Sequence, residues 1–96
     1  MAKLILIDGT EKEVQPKDAN NGFDLQELYD LIGNGCEMIQ TIETRDGYCI
    51  FDEEFRVRLY WEDKRNPKAN EMLMHDTGFN YDICGNVIFC SPDEFK

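Results

Sequence analysis

Four short apolar runs, each about as long as a β-strand, constrain the fold of this 96-residue chain more than any other feature. The runs KLILI, YCIFD, FRVRLYW and ICGNVIFC cover residues 3–7, 48–52, 55–61 and 83–90. Most are rich in β-branched or aromatic residues and are bounded by Gly, Asp or Asn, as is typical of strands joined by turns. They predict a chain organised around a β-sheet.

Asp-Gly pairs indicate how these strands are connected. Asp8-Gly9 joins the first run to the charged segment TEKEVQ, and such a pair readily takes the positive φ angles of a short hairpin. The first strand is apolar on both faces, which predicts a central position, whereas charge predicts an edge position for the second. Residues 36–44 alternate in polarity as a half-buried strand does, and the turn at Arg45-Asp46-Gly47 leads them into YCIFD.

Two helices are predicted from their end signals. Residues 24–33 begin with Asp24 followed three residues later by Glu27, an Asp form of the capping box. The face expected to be apolar carries Leu25, Leu28, Tyr29 and Ile32, with Phe23 packing onto Leu28. A second, short helix over 66–75 begins with an Asn66-Pro67 cap and ends before Gly78.

The predicted order is therefore ββαβββαβ, a single small α+β domain over residues 1–96. Its sheet is mostly antiparallel with about five or six strands. A chain this short buries about two-thirds of the surface that its unfolded form exposes, so the core is expected to have only two layers.

The charge balance is strongly acidic and limits the partners. Twenty Asp and Glu residues oppose ten Lys and Arg, for a formal net charge of −10 and a pI near 4.4. Direct binding to nucleic-acid phosphates or anionic membranes is disfavoured, because it needs clustered basic residues. Solubility is the plain interpretation of this charge, and a basic protein partner is the sharper one. The short apolar run near the N-terminus predicts neither a signal peptide nor a membrane span, so we expect a cytoplasmic protein with reduced thiols.

The four cysteines do not have the spacing of a zinc site. Twelve, thirty-four and five residues separate Cys36, Cys49, Cys84 and Cys90, whereas structural zinc uses closely spaced pairs. We expect these residues to pack as small hydrophobic side chains, with a disulfide between Cys36 and Cys49 as a minor alternative. Nothing in the sequence places the single histidine, His75, beside a thiol, so no catalytic residue, metal ligand or cofactor is predicted.

Acidic turns and aromatic residues give a candidate interaction surface. The cluster Asp52, Glu53 and Glu54 is expected to be a solvated turn. Aromatic side chains are enriched at binding hot spots because they bury a large area at little entropic cost. The predicted interaction surface comprises Tyr48, Asp52, Glu53, Glu54, Tyr60, Trp61 and Phe79.

The ordered landmarks DGTEKEVQPK, FDLQELYDLIG, RDGYCIFDEE, KRNPKANEM and YDICGNVIFC resemble a family of small proteins of unknown function. Phages, plasmids and conjugative elements of gut bacteria encode that family. Its recurring features are an LQEL helix, a DG hairpin, a DEEG turn, an NxxAT helix start and a terminal xIVGDVLV strand. The matching residues are Leu25, Gln26, Glu27, Leu28, Asp46, Gly47, Asp52, Glu53, Glu54, Asn66, Ala69, Ile83, Gly85 and Val87.

This chain departs from the family pattern at three positions. Asn34 separates Gly33 from Gly35, Phe55 replaces a glycine, and Asn86 replaces the acid that follows Gly85. The resemblance implies a small α+β accessory protein of a mobile genetic element, with no established activity. Any function carried by the acid is missing here.

The sequence leaves three functional hypotheses. The leading one is a non-enzymatic accessory or interaction protein that binds a host or element-encoded protein. The alternatives are an acidic mimic of DNA that inhibits a DNA-binding protein, and a small-molecule-binding protein or enzyme. The sequence is compatible with a monomer or a dimer.

Overall fold

The structure, a computed structural model, describes residues 2–18, 20–33, 35–53 and 64–95. Within these residues, one five-stranded antiparallel sheet has the strand order β2-β1-β5-β4-β3. Its strands are β1 Ala2–Ile5, β2 Glu11–Val14, β3 Ile39–Glu43, β4 Tyr48–Asp52 and β5 Val87–Cys90. The helices are α1, Leu25–Ile32, and α2, Pro67–Thr77. The predicted α+β class is confirmed, and the strand predicted at 55–61 lies outside the described residues.

Each face of the sheet has its own hydrophobic cluster, because neighbouring residues of a strand point to opposite faces. The buried residues of the α1 face are Ala2, Leu4, Phe23, Leu28, Ile32, Cys36, Ile50, Ile88 and Cys90. Those of the α2 face are Ile5, Cys49, Ala69, Leu73, Ile83 and Val87. The expected limit of two layers is therefore wrong. Strands β1, β4 and β5 are apolar on both faces, so a helix covers each face and the domain has three layers.

The first hairpin is arranged as predicted. Strand β1 lies between β2 and β5, and β2 forms an edge of the sheet with its charged residues exposed. In the turn, the Leu6 N–H donates to the Thr10 carbonyl at 2.9 Å and the Gly9 N–H donates to the Leu6 carbonyl at 3.0 Å. Gly9 has φ +92°, a value that favours glycine.

The capping box of α1 is also confirmed. The Glu27 N–H donates to Asp24 Oδ1 at 2.8 Å, and the Asp24 N–H donates to Glu27 Oε1 at 3.3 Å. Leu28 and Ile32 are buried as expected, but Leu25 is 55% exposed, so its predicted place on the buried face is wrong. Phe23, just before the cap, is buried instead and supplies the apolar contact at this end of the helix.

Two strands begin later than predicted. Strand β3 starts at Ile39 instead of residue 36, and Cys49 lies opposite Ile42, so the alternative disulfide with Cys36 is wrong and neither cysteine is in a disulfide. Strand β5 starts at Val87 instead of residue 83. The backbone of 83–85 is hydrogen-bonded to the start of α2 and its preceding segment, so it is unavailable to the sheet there.

Asn66 makes several of the hydrogen bonds between residues 83–85 and the start of α2. It is fully buried, and its Nδ2 donates to the carbonyls of Ile5 at 3.0 Å and Gly85 at 2.9 Å. Its Oδ1 accepts from the Ala69 N–H at 3.1 Å, which caps α2 as the Asn-Pro signal predicts. One side chain therefore ties together the end of β1, the start of α2 and the segment before β5.

Two further asparagines extend these connections. The Asn70 side chain accepts from the Ile83 N–H at 2.7 Å and donates to the Ile83 carbonyl at 3.0 Å. Asn86 accepts from the Ile7 N–H at 3.2 Å and donates to the Ile32 carbonyl, at the end of α1, at 3.1 Å. A carboxylate at position 86 could accept the first bond but could not donate the second.

We predict that Asn66→Ala and Asn66→Asp both lower the free energy of unfolding, by about 3 to 5 kcal/mol for Ala, because each removes the two hydrogen bonds that Asn66 Nδ2 donates to buried backbone carbonyls. Asp keeps the Oδ1 acceptor for the helix cap but supplies no N–H donor. Urea denaturation followed by circular dichroism measures the change. The matched control is Asn80→Asp, which is exposed and acts only as an acceptor in the structure, with an expected change within about 0.5 kcal/mol. Wild-type stability of Asn66→Asp would contradict the role of the two donated bonds.

Candidate functional site

The loop that follows α2, residues 78–83, carries the most exposed large apolar side chain in the described part of the chain, Phe79. We call it the aromatic loop. It begins where Gly78 ends α2 in a left-handed conformation, with its N–H donating to the Met74 carbonyl at 2.8 Å. Thr77 Oγ1 donates to the Leu73 carbonyl at 2.7 Å and accepts from the Phe79 N–H at 3.2 Å. The helix end therefore fixes the first residue of the exposed segment.

Side chains fix the rest of the aromatic loop. Asn80 Oδ1 accepts from the Asp82 N–H at 3.1 Å, and Asp82 has φ +51°, the one non-glycine residue with positive φ among the described residues. Asp82 Oδ1 accepts from Arg65 Nε at 3.1 Å. At Ile83 the two bonds from Asn70 return the backbone to α2. The segment is thus held at both ends and in the middle.

This fixed backbone presents two aromatic rings to solvent. Phe79 is 67% exposed and Tyr81 is 41% exposed. Their ring centroids lie 6.3 Å apart at an interplanar angle of 62°, an edge-to-face arrangement that aromatic pairs favour. Both rings therefore keep accessible surface although the backbone that carries them is hydrogen-bonded.

A cavity of about 280 Å³ adjoins Tyr81. Its apolar lining includes Ile42, Phe51 and Ile83, which also border the α2-face cluster. We call it the acidic cavity, because its polar lining carries three carboxylates. The polar and thiol lining residues are Gln40, Asp52, Glu53, Asp82 and Cys84.

The structure separates the residues of the predicted interaction surface. Tyr48 is half-buried and packs on the α1 face against Phe95, with ring centroids 5.5 Å apart. Asp52 is 3% exposed, so its expected role in a solvated turn is wrong. It is buried because it still belongs to β4, where it pairs with Ile39 of β3. Glu53 is exposed and lines the acidic cavity, while Phe79 lies in the aromatic loop. Glu54, Tyr60 and Trp61 lie outside the described residues.

Sequence reasoning missed Tyr81 and Asp82. The stretch GFNYD contains a usable signal. An Asn side chain often accepts the backbone N–H of the residue two positions later, which forms a turn. Because loops lie at the surface and often carry function, aromatic residues in such a turn are candidates for binding. What the sequence does not show is that β3, β4 and the loop meet to form the cavity.

The thiols of Cys49 and Cys90 are expected to be unreactive as nucleophiles. Burial raises the pKa of Cys49 to about 12, with a smaller contribution from Cys90 nearby. Burial also raises the pKa of Cys90 to about 11, with Glu94 adding to the rise. Because a thiolate is the reactive form, neither group is an effective nucleophile near neutral pH.

His75 lies in the last turn of α2 and is exposed. The shallow depression beside it is lined by Lys68, Glu71, Met72 and Met74, none of which is a thiol. Across residues 2–18, 20–33, 35–53 and 64–95, no three His, Cys, Asp or Glu side chains are grouped so that they could hold a metal ion. In the same ranges, no helix has the length and apolar character needed to cross a membrane.

The fold and its exposed site define a small three-layer α+β protein with a rigid aromatic loop beside an acidic cavity. Comparison with protein-family models, curated proteins and solved structures gives no match.

We predict that Cys49 and Cys90 resist alkylation at pH 8, at least about a hundredfold relative to the urea-unfolded chain, because their raised pKa values leave them protonated. Iodoacetamide labelling with mass spectrometry measures each site. The folded pKa values lie above the ordinary value of 9.0, so the unfolded chain loses these protons first. Stability is therefore lost as pH rises from about 9 to about 12, through the folded pKa values of both thiols. Equal labelling rates in the folded and unfolded chains would contradict this assignment.

Proposed function

We propose that this chain is a non-enzymatic interaction protein that binds another protein through the aromatic loop. It would act in the cytoplasm as an accessory factor of a mobile genetic element, on a host or element-encoded partner. The mobile-element origin rests on the sequence resemblance alone. The binding role rests on the loop.

The observation that carries the proposal is the exposure of Phe79 and Tyr81 on a backbone that is fixed by hydrogen bonds. Ordering a flexible loop costs free energy when a partner binds, and a segment that is already ordered avoids this cost. Exposed aromatic anchors on such a segment are typical of binding hot spots. The positive φ of Asp82 fits this interpretation, since unusual backbone conformations concentrate at functional sites.

The chemistry of the thiols favours binding over turnover. A cysteine nucleophile needs a lowered pKa or a neighbouring base, whereas burial raises the pKa of Cys49 and Cys90. A small-molecule site is the alternative that the acidic cavity supports. Its volume of about 280 Å³ lies just below the usual range for ligand pockets, about 300 to 1,000 Å³, and we therefore place this alternative second.

The distribution of charge ranks DNA mimicry lower. Mimicry requires carboxylates ordered at phosphate spacing on one surface. Exposed acids here lie on the β2 edge, on β3 and on both helices, which cover opposite faces of the sheet. These exposed residues are Glu11, Glu13, Asp30, Glu43 and Glu71. The acidity therefore surrounds the described part of the fold.

We predict that the double variant Phe79→Ser, Tyr81→Ser loses partner binding while its melting temperature stays within about 3 °C of wild type, because both rings are exposed. Tagged wild-type and variant proteins are used to capture partners from nuclease-treated host cytosol, and retained proteins are compared. The matched control is Leu25→Ser, which removes a side chain of 55% exposure from α1 on the opposite face. It should retain the partner.

Three outcomes would contradict the proposal. The first is a partner that is retained equally by the wild type and the double variant. The second is a retained protein that is released by added DNA duplex and is unaffected by the two aromatic substitutions, which would favour mimicry instead. The third is turnover of a metabolite that depends on the acidic cavity, which would show that the protein is an enzyme.

A further inference from the structure

We infer that the aromatic loop and the acidic cavity together bind an arginine side chain in a basic segment of the protein partner. This inference rests on the proposed function and names the chemistry of the partner. Three observations carry it: the mixed lining of the cavity, the exposed rings at its rim, and an arginine–carboxylate contact that is already present there.

The lining of the cavity matches a side chain with an apolar stem and a cationic end. Ile42, Phe51 and Ile83 offer an apolar wall, against which the methylene groups of a long basic residue can pack. Glu53 and Asp82 supply carboxylate oxygens in the same cavity. A purely apolar side chain would have to desolvate these carboxylates without replacing their hydrogen bonds with water, which is unfavourable.

The rings select arginine over lysine. Tyr81 lines the cavity and its ring centroid lies 6.3 Å from that of Phe79, so the aromatic pair borders the cavity. A planar guanidinium can stack on a ring and donate two parallel hydrogen bonds to a carboxylate, whereas an ammonium group is a more strongly hydrated point charge. Arg65 shows that a guanidinium can pair with a carboxylate of the loop, with a single contact of 3.1 Å between its Nε and Asp82 Oδ1.

The charge of the whole chain adds to the local match. A net charge of −10 attracts basic segments at long range and raises their rate of encounter. Long-range attraction alone does not distinguish one acidic surface from another. The aromatic loop and the acidic cavity make the distinction, because they combine carboxylates with a rigid aromatic rim.

The test uses three fluorescein-labelled peptides of the sequence GSXGXGXSG, in which X is arginine, lysine or citrulline. Citrulline has nearly the shape of arginine but carries no charge. Binding is measured by fluorescence anisotropy in 50 mM and 300 mM salt. We expect the arginine peptide to bind at least about tenfold more tightly than the citrulline peptide and about threefold more tightly than the lysine peptide.

Two variants locate the binding and a third controls for charge. We expect Tyr81→Ala and Glu53→Gln each to weaken the arginine peptide by about three- to tenfold, from the loss of a ring contact and of a charge-assisted hydrogen bond. Glu13→Gln makes the same change of charge at the β2 edge, and its effect should stay within about twofold. Melting temperatures confirm that each variant is folded.

Each other outcome overturns the inference. Equal binding of the lysine and arginine peptides, with equal effects of Glu13→Gln and Glu53→Gln, shows only general charge attraction. If no peptide binds while the captured partner still depends on Phe79 and Tyr81, the inference fails and the proposed function stands. If that dependence is also missing, both fail.

Discussion

At one end of the sheet, the buried side-chain amide of Asn66 joins three segments that are far apart in the sequence. Its two donated bonds reach Ile5 and Gly85, and its accepted bond caps α2 at Ala69. A domain of this length is stable by about 5 to 14 kcal/mol, while each buried carbonyl left unsatisfied costs about 1 to 3 kcal/mol. Loss of this side chain is therefore expected to remove a large fraction of the total stability. Its contacts add to the ladder between β1 and β5 and to the packing of Ala69 and Leu73 on the sheet.

The same network supports the candidate binding surface. Asn70, one turn into α2, holds both backbone groups of Ile83, and Ile83 ends the aromatic loop. Gly78 and Thr77 hold the other end. Both ends of the loop are therefore hydrogen-bonded to the helix that Asn66 caps. The two rings lie on a segment that is attached to α2 at each end. This coupling explains why exposed aromatic residues coexist with a firmly bonded backbone.

Local signals predict much of this fold, and long-range contacts account for the errors. The capping box at Asp24, the Asn66-Pro67 helix start and the Asp8-Gly9 hairpin depend on a few neighbouring residues, and all three are confirmed.

The third layer was missed because chain length alone suggested two, although β1 has apolar residues on both faces. The start of β5 was missed because bonds from Asn66 and Asn70 act across 19 and 13 residues. The burial of Asp52 was not predicted, because it depends on the pairing of this last residue of β4 with Ile39 of β3. The aromatic loop was only partly found, since Phe79 was selected for its residue type while Tyr81 acquires its importance from the cavity beside it.

The proposed binding surface requires an ordered aromatic loop, and backbone ¹⁵N relaxation measures that order. We expect order parameters for residues 79–83 near those of α2, about 0.85, in the free protein. Values below about 0.6 would show a loop that moves freely on the picosecond-to-nanosecond timescale. Such a loop would have no preformed arrangement of Phe79 and Tyr81, and the proposed binding surface would lose its physical basis.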